Sequence, residues 1–292
     1  MRTTNFLTLP DKRQLAYAEY GDRNGHPVLY FHGAPSSRLE PLILGDEIIS
    51  RVGLRIIAPD RPGVGQSDFK LNRGFSDWVN DVVFLADAVG LDKFSVLGIS
   101  GGCGYVAVCA AKIPERLHAA VIVSGAWRMD LNEDLPTMSR LAWFFAKRIP
   151  VLHLGWLKLM QQSLKGNPKK LLSKLKKQFP LADYLVLKQP GRIRPFCETT
   201  IEAMCQGAKG AAYDVQLYAR EWDFSLEEIQ MPLIIFHGEQ DKNVPIAPIK
   251  RVVANLPKAR LMTYPEEGHF SLILNQFETI AKSLISDIQS IQ

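Results

Sequence analysis

A serine, an aspartate and a histidine each stand at a turn after a short apolar run, and together they hold the parts of a nucleophilic hydrolysis. Ser100 lies in Gly98-Ile99-Ser100-Gly101-Gly102, a G-x-S-x-G pattern whose glycines leave room for a sharp strand-to-helix elbow that presents the hydroxyl. A serine hydroxyl is a poor nucleophile near neutral pH, so the pattern calls for a base and for a group that orients the base. His269, which follows Leu261-Met262-Thr263-Tyr264 and the turn Pro265-Glu266-Glu267-Gly268, is the candidate base. Asp241, which follows Leu233-Ile234-Ile235-Phe236 and the turn His237-Gly238-Glu239-Gln240, is the candidate acid. Alone, the pentapeptide is weak evidence, since three fixed positions of common residues recur by chance in roughly one chain in ten. Its flanks strengthen it. Phe94-Ser95-Val96-Leu97 reads as a buried strand before the elbow and Tyr105-Val106-Ala107-Val108 as an apolar helix after it, and Ser, Asp and His then follow in chain order.

Other residues compete for these roles. His32 and His237 precede glycines at strand ends and read as structural, and Asp60 reads as an acid that fixes its own loop. Asp130, soon after the Ala119–Val123 run, is the rival orienting acid. Cys103 lies about one helical turn beyond Ser100 with no basic neighbour in sequence, which favours packing over thiol chemistry.

The elements that must position these groups are legible as periodicity. Phe6–Leu9 and Leu15–Tyr20 flank the Pro10-Asp11 turn as a hairpin, and Val28–Phe31, Arg55–Ala58, Phe94–Gly98, Ala119–Val123, Leu233–Phe236 and Leu261–Tyr264 are compact apolar runs suited to parallel strands between helix layers. Helical patterns fall between them at Phe75–Val89, Gly101–Lys112, Pro248–Ala254 and Phe277–Ile288. Such alternation predicts a doubly wound α/β sheet. From Trp127 to Ala212 no strand pattern occurs, and Leu141–Met160 has helical spacing, so a helical insertion is expected there. This divides the chain into a first core part at 1–126, a helical cap at 127–212 and a second core part at 213–292. The insertion holds 15 Lys and Arg against 6 Asp and Glu, so it carries +9 while the remainder carries −4. The run from Lys169 to Lys177 reads as the solvated face of an amphipathic helix; attraction to an anionic substrate or weak contact with a membrane surface is the sharper alternative.

Bulk properties narrow the class. With 292 residues, 22% charged and 47% hydrophobic, the chain can bury a sizeable core without a disordered majority. The N-terminus lacks the h-region of a secretory signal. The uncharged run Phe94–Ala111 is broken by Ser100-Gly101-Gly102-Cys103-Gly104, so no membrane span is expected. The cysteines, Cys103, Cys109, Cys197 and Cys205, form no C-x-x-C pair; four free thiols in a cytoplasmic protein is the expectation. A small-molecule substrate is expected, and nucleic acid is not.

These segments resemble the α/β-hydrolase superfamily, and within it the capped serine hydrolases that include esterases and proline iminopeptidases. Two more segments carry the resemblance: Tyr30-Phe31-His32-Gly33-Ala34-Pro35 resembles the H-G-x-P oxyanion loop, and Asp60-Arg61-Pro62-Gly63-Val64-Gly65-Gln66-Ser67 resembles the D-x-x-G-x-G-x-S loop. The resemblance implies a mostly parallel sheet of about eight strands with the cap between the sixth and seventh. It also implies an oxyanion hole from the backbone N–H groups of Ala34 and Gly101, and no need for metal, nucleotide or flavin. Serine at the elbow argues against the family's epoxide hydrolases and haloalkane dehalogenases, which carry aspartate there. For substrate, Trp143, Phe144, Phe145 and Trp156 are expected to wall a pocket for esters with an apolar group. An iminopeptidase, with Glu198 and Glu202 binding a free amine, is the alternative, although Gly101 stands where those peptidases have Trp. A slow-turnover small-molecule receptor on the same fold is the alternative of another class.

Overall fold

A computed structural model describes residues 4–127, 144–145, 147–166 and 168–286. Eight strands form one sheet in the order β1-β2-β4-β3-β5-β6-β7-β8. β1 (Asn5–Thr8) and β2 (Gln14–Gly21) make the expected antiparallel hairpin, and β2 also runs antiparallel to β4 (Leu54–Pro59). All other pairings are parallel and join β4 to β3 (His26–Phe31), and then β5 (Phe94–Ile99), β6 (Leu117–Val123), β7 (Leu233–Gly238) and β8 (Ala259–Tyr264) in turn. The eight-stranded, mostly parallel α/β sheet is the architecture expected.

The helices fill the crossovers. α1 (Asp46–Arg51), α2 (Ser76–Ala88) and α3 (Cys103–Lys112) precede β4, β5 and β6. Between β6 and β7 lie α4 (Pro150–Leu164), α5 (Pro168–Gln178), α6 (Leu181–Leu187), α7 (Ile193–Ala203) and α8 (Lys209–Tyr218). α9 (Ile246–Val253) links β7 to β8, and α10 (Ser271–Asn275) and α11 (Phe277–Ile285) follow β8.

Every residue of β5 and β7 is buried, because helices cover both faces of the sheet. On one face Trp78 and Leu85 of α2, Val106 and Cys109 of α3 and Ile249 of α9 pack against alternate strand residues such as Val96, Ile122 and Ile235. On the other, Ile49 of α1 and Phe277, Ile280 and Leu284 of α11 pack against Leu97, Val121 and Ile234. Each such aliphatic side chain contributes about 1.5–3 kcal/mol by leaving water. Strands buried on both faces lose the polar alternation of a half-exposed strand, which is why these runs read as continuous apolar segments.

The helices between β6 and β7 bury less. α5 points Leu171 and Leu175 inward and leaves Lys174, Lys176 and Lys177 exposed, the amphipathic arrangement expected of that run. α8 continues past the expected division at 212/213, because its C-terminal half belongs to the core: Tyr218 packs edge-on against Phe75, with ring centroids 5.2 Å apart, and Asp214 is anchored among core arginines.

Candidate active site

The elbow forms because β5 and α3 must meet at a near-reversal. Ser100 joins them in the left-handed region, φ 50°, and opens a 3-10 turn, Ser100–Gly102, that leads into α3. Few non-glycine residues adopt such a backbone, and those that do cluster at functional positions. The glycines allow close approach. A methyl group at Gly102 would lie 2.1 Å from the Phe31 carbonyl oxygen, and one at Gly101 would lie 2.6 Å from Ala34 Cβ and 3.0 Å from Ala34 N. The backbones of Ala34 and Gly101 therefore rest against each other beside Ser100, and both line the same cavity as Ser100.

His269 and Asp241 meet across two strand ends. His269 Nδ1 lies 2.7 Å from Asp241 Oδ2, and both residues are buried. A carboxylate only accepts, so Nδ1 carries the proton and Nε2 is left as the basic nitrogen. Asp241 is fixed through its other oxygen, Oδ1, which accepts the backbone N–H groups of Asn243 and Val244, each at 2.8 Å. Burial alone would depress the His269 pKa, but the charge and hydrogen bond of Asp241 outweigh it, with Asp183 and Glu40 adding, and the imidazole sits above its ordinary value.

His32 and His237 are each tied to a backbone carbonyl. His32 is fully buried, with Nδ1 2.8 Å from the Gly33 carbonyl, and burial together with Arg61 holds its pKa well below the ordinary value. His237 Nε2 donates to the Val244 carbonyl at 2.9 Å, and burial lowers its pKa too. Asp60 fixes its loop by accepting from Arg38 N, the Arg38 guanidinium and Gln66 N. Cys103 is buried, which pushes its thiol pKa well up and keeps it inert.

A buried ionic cluster behind the His32–Pro35 loop gave no sequence signal beyond the loop motif itself. Arg61 donates to the carbonyl oxygens of His32 and Gly33 and pairs with Asp214 at 2.7 Å. Arg73 pairs with the other oxygen of Asp214 at 3.0 Å, and Tyr105 OH bonds that same oxygen. Burial alone would raise the Asp214 pKa; the two guanidinium charges overcome it and bring the carboxyl down to about 2. Glu40 supports the loop from the other side, accepting Gly33 N at 2.9 Å and Tyr30 OH at 3.0 Å. Burial raises its pKa against the lowering effect of those hydrogen bonds.

Ser100, Gly101, Ala34 and His269 open on a cavity of about 710 Å³. The helices between β6 and β7 supply its far wall, including Trp156, Leu159, Leu171 and Phe196. Of the four aromatics expected to wall a pocket, Trp156 lines this cavity. Phe144 and Phe145 meet edge to face, with centroids 5.8 Å apart, and do not line the cavity. An aromatic's type signals a tendency to bury, not the direction it faces. Trp143 and Asp130 lie outside the described residues. Glu198 and Glu202 also fail to reach the cavity, because each has a nearer cation: Glu198 pairs with Arg194 at 2.7 Å, and Glu202 with Arg38 at 2.7 Å. Among the described residues no group of three His, Cys, Asp or Glu could hold a metal ion, and no helix is long and apolar enough to cross a membrane.

Comparisons with known proteins agree with the fold. The bifunctional esterase/perhydrolase DCH of Acinetobacter calcoaceticus is 26% identical over 301 residues, covering 98% of this chain and 99% of the relative. The 2-hydroxymuconate semialdehyde hydrolase of Pseudomonas putida is 22% identical, covering 91% of this chain and 89% of its own. Among solved structures, an esterase from Exiguobacterium antarcticum superposes with a TM-score of 0.69 at 18% identity, covering 99% of this chain and 100% of that one. The family model for the alpha/beta hydrolase fold matches residues 26–276, and the chain belongs to that family.

Proposed function

We propose that this protein is a serine hydrolase that cleaves carboxylic esters with an apolar group through an acyl-enzyme. The observation that carries the reading is the buried Asp241–His269 pair, 2.7 Å apart, whose His269 lines the same cavity as a serine held at positive φ. In this reading His269 Nε2 takes the proton of Ser100 Oγ as the oxygen attacks the ester carbonyl, and Asp241 holds the ring and stabilises the imidazolium. The amides of Ala34 and Gly101 receive the developing oxyanion. The alcohol leaves with the proton from His269, and a water activated by the same nitrogen then releases the acid and restores Ser100. Glu40, which accepts Gly33 N, and Arg61, which binds the His32 and Gly33 carbonyls, hold the loop that presents the Ala34 amide.

The helices between β6 and β7 act as a cap that selects substrate. The far wall is mostly apolar, with Lys174 also lining the cavity, which supports an acyl or alkyl chain. Pairing of Glu198 and Glu202 with Arg194 and Arg38 leaves no carboxylate of α7 for a substrate amine, which disfavours the iminopeptidase alternative.

The test is a panel of chromogenic esters and aminoacyl amides, with fluorophosphonate labelling in parallel. Rapid turnover of esters with labelling at Ser100 is expected. Turnover confined to aminoacyl amides would assign a peptidase, and labelling or ligand binding without turnover would assign a receptor.

A further inference from the structure

The turn that carries His269 is held by a residue from the inserted helices. Asp183 of α6 is 1% exposed, and its carboxylate accepts three successive backbone N–H groups. Oδ2 takes His269 N at 3.0 Å, and Oδ1 takes Phe270 N at 2.9 Å and Ser271 N at 2.8 Å. These amides open the short helix α10, whose own N-cap, Phe270, offers no side-chain acceptor. A helix start buried without an acceptor would leave its donors unsatisfied, at a cost of about 1–3 kcal/mol each; Asp183 supplies the cap from 86 residues away. The fit leaves no slack, since a methyl group at Gly268 would lie 2.5 Å from Asp183 Oδ1.

We propose that Asp183 is a positioning residue: a carboxylate of the cap that fixes the backbone of the His269 turn, so that placement of the base depends on the cap being seated. The proposal rests on reading His269 as the base. One carboxylate oxygen is committed to the amide of His269 itself, so loss of Asp183 frees the ring's own backbone anchor. What then remains near that backbone includes Ser124 Oγ on the His269 carbonyl at 3.2 Å and Gly268 N donating to Ser271 Oγ at 2.8 Å. A displacement of about 1 Å in a catalytic group costs on the order of a hundred-fold in rate. Asp183 also contributes charge. The charged and titratable groups facing His269 are Asp241 beyond β7, Asp183 from the cap, Glu40 beyond β3 and His237 at the end of β7. Removing one negative charge from this set makes the imidazolium harder to form.

The experiment compares the full chain with Asp183→Ala, Asp183→Asn, Asp183→Glu and His269→Gln, using a short-chain chromogenic ester, pH profiles and thermal melting. Asp183→Ala is expected to lower kcat about a hundred-fold with KM changed by less than about three-fold. Asp183→Asn keeps the shape and one acceptor oxygen but turns an N–H donor toward the His269 amide, so its kcat falls as well. In both, the acid limb of kcat/KM moves to lower pH, and in Asp183→Glu it returns toward the parent position. A variant that only lost stability would melt lower and keep the parent kcat and acid limb; that result overturns the proposal. If Asp183→Ala does not fold, the isosteric Asp183→Asn decides by the same two readouts. His269→Gln separates the premises: activity surviving in it refutes the base assignment, whereas its inactivity beside a fully active Asp183→Asn refutes only the role of Asp183.

Discussion

Every residue of β5 and β7 is buried, whereas α4 carries Val151, Leu159 and Trp156 at 75%, 68% and 50% exposure. The sheet side of the cavity presents Ser100 and His269 from turns gripped by close backbone contacts and by carboxylates. The helical side presents apolar side chains from small clusters, such as Leu157 with Met204, Ala208, Ala211 and Ala212. Close packing over-determines geometry in the first region, so it can hold a strained serine and a buried ion pair. Sparse packing in the second leaves room to vary what the cavity accepts. In the proposed function, chemistry and selectivity fall to different parts of the chain, and Asp183 is a point where the two are tied.

The sharpest way to break this division is at the elbow. Ser100→Ala is expected to lower kcat by roughly a million-fold and to abolish fluorophosphonate labelling, with the melting temperature little changed. Undiminished labelling of the mutant would remove Ser100 as the nucleophile. Next in size, Asp241→Asn should lower the rate about ten-thousand-fold, because an amide favours the wrong tautomer of His269. Steady-state kinetics on the folded variant checks this, and a near-parental rate would mean that another acid orients the ring.

A second tie between the regions, the buried Asp214 cluster, should show chiefly in stability. Asp214→Ala leaves Arg61 and Arg73 buried without their counter-ion, and breaking a buried pair in this way costs about 3–5 kcal/mol. Urea unfolding measures it; a loss below about 1 kcal/mol would show the cluster to be dispensable.

The pH profile tests the electrostatics of the sheet side. The base must be neutral to take the serine proton, and its pKa is raised in the folded protein. Activity should therefore be full above that value and be lost as pH falls through it, with the midpoint of the kcat/KM limb above about 6.5. A limb centred well below that value in a folded enzyme would contradict the arrangement around His269.

The smallest effect is expected on the helical side. Trp156→Ala should shift preference along an ester chain-length series by a few-fold to about ten-fold, the scale of a few apolar contacts, while a Lys174/Lys176/Lys177→Gln variant changes little at low or high salt. A chain-length profile indifferent to Trp156 would remove it as a wall, and a large salt-sensitive loss in the lysine variant would overturn the solvated-face reading.

What sequence reasoning reached depended on how local each signal was. The turns that carry Ser100, Asp241 and His269 were legible because each follows an apolar run, so a few neighbouring residues specify both the element and its end. The pairs around Glu198 and Glu202 were not. Their partner types are common, and the i,i+4 spacing that suggested a shared amine site equally allows each acid to find a separate arginine. Asp183 was invisible for a related reason: it serves a helix that begins 88 residues later, and no local pattern marks an acid as the cap of a distant turn.

By itself the sequence determined the alternation of strands and helices, the strand-to-helix turn at Ser100 and the turns that carry Asp241 and His269, since these follow from periodicity and turn chemistry within windows of about ten residues. Only the tertiary structure decided which carboxylates meet which cations, which aromatic side chains face the cavity, and which cap residue grips the His269 turn. Those outcomes depend on distances between residues tens to more than a hundred positions apart, such as Arg61 and Asp214, and such distances exist only once the sheet and its inserted helices have packed.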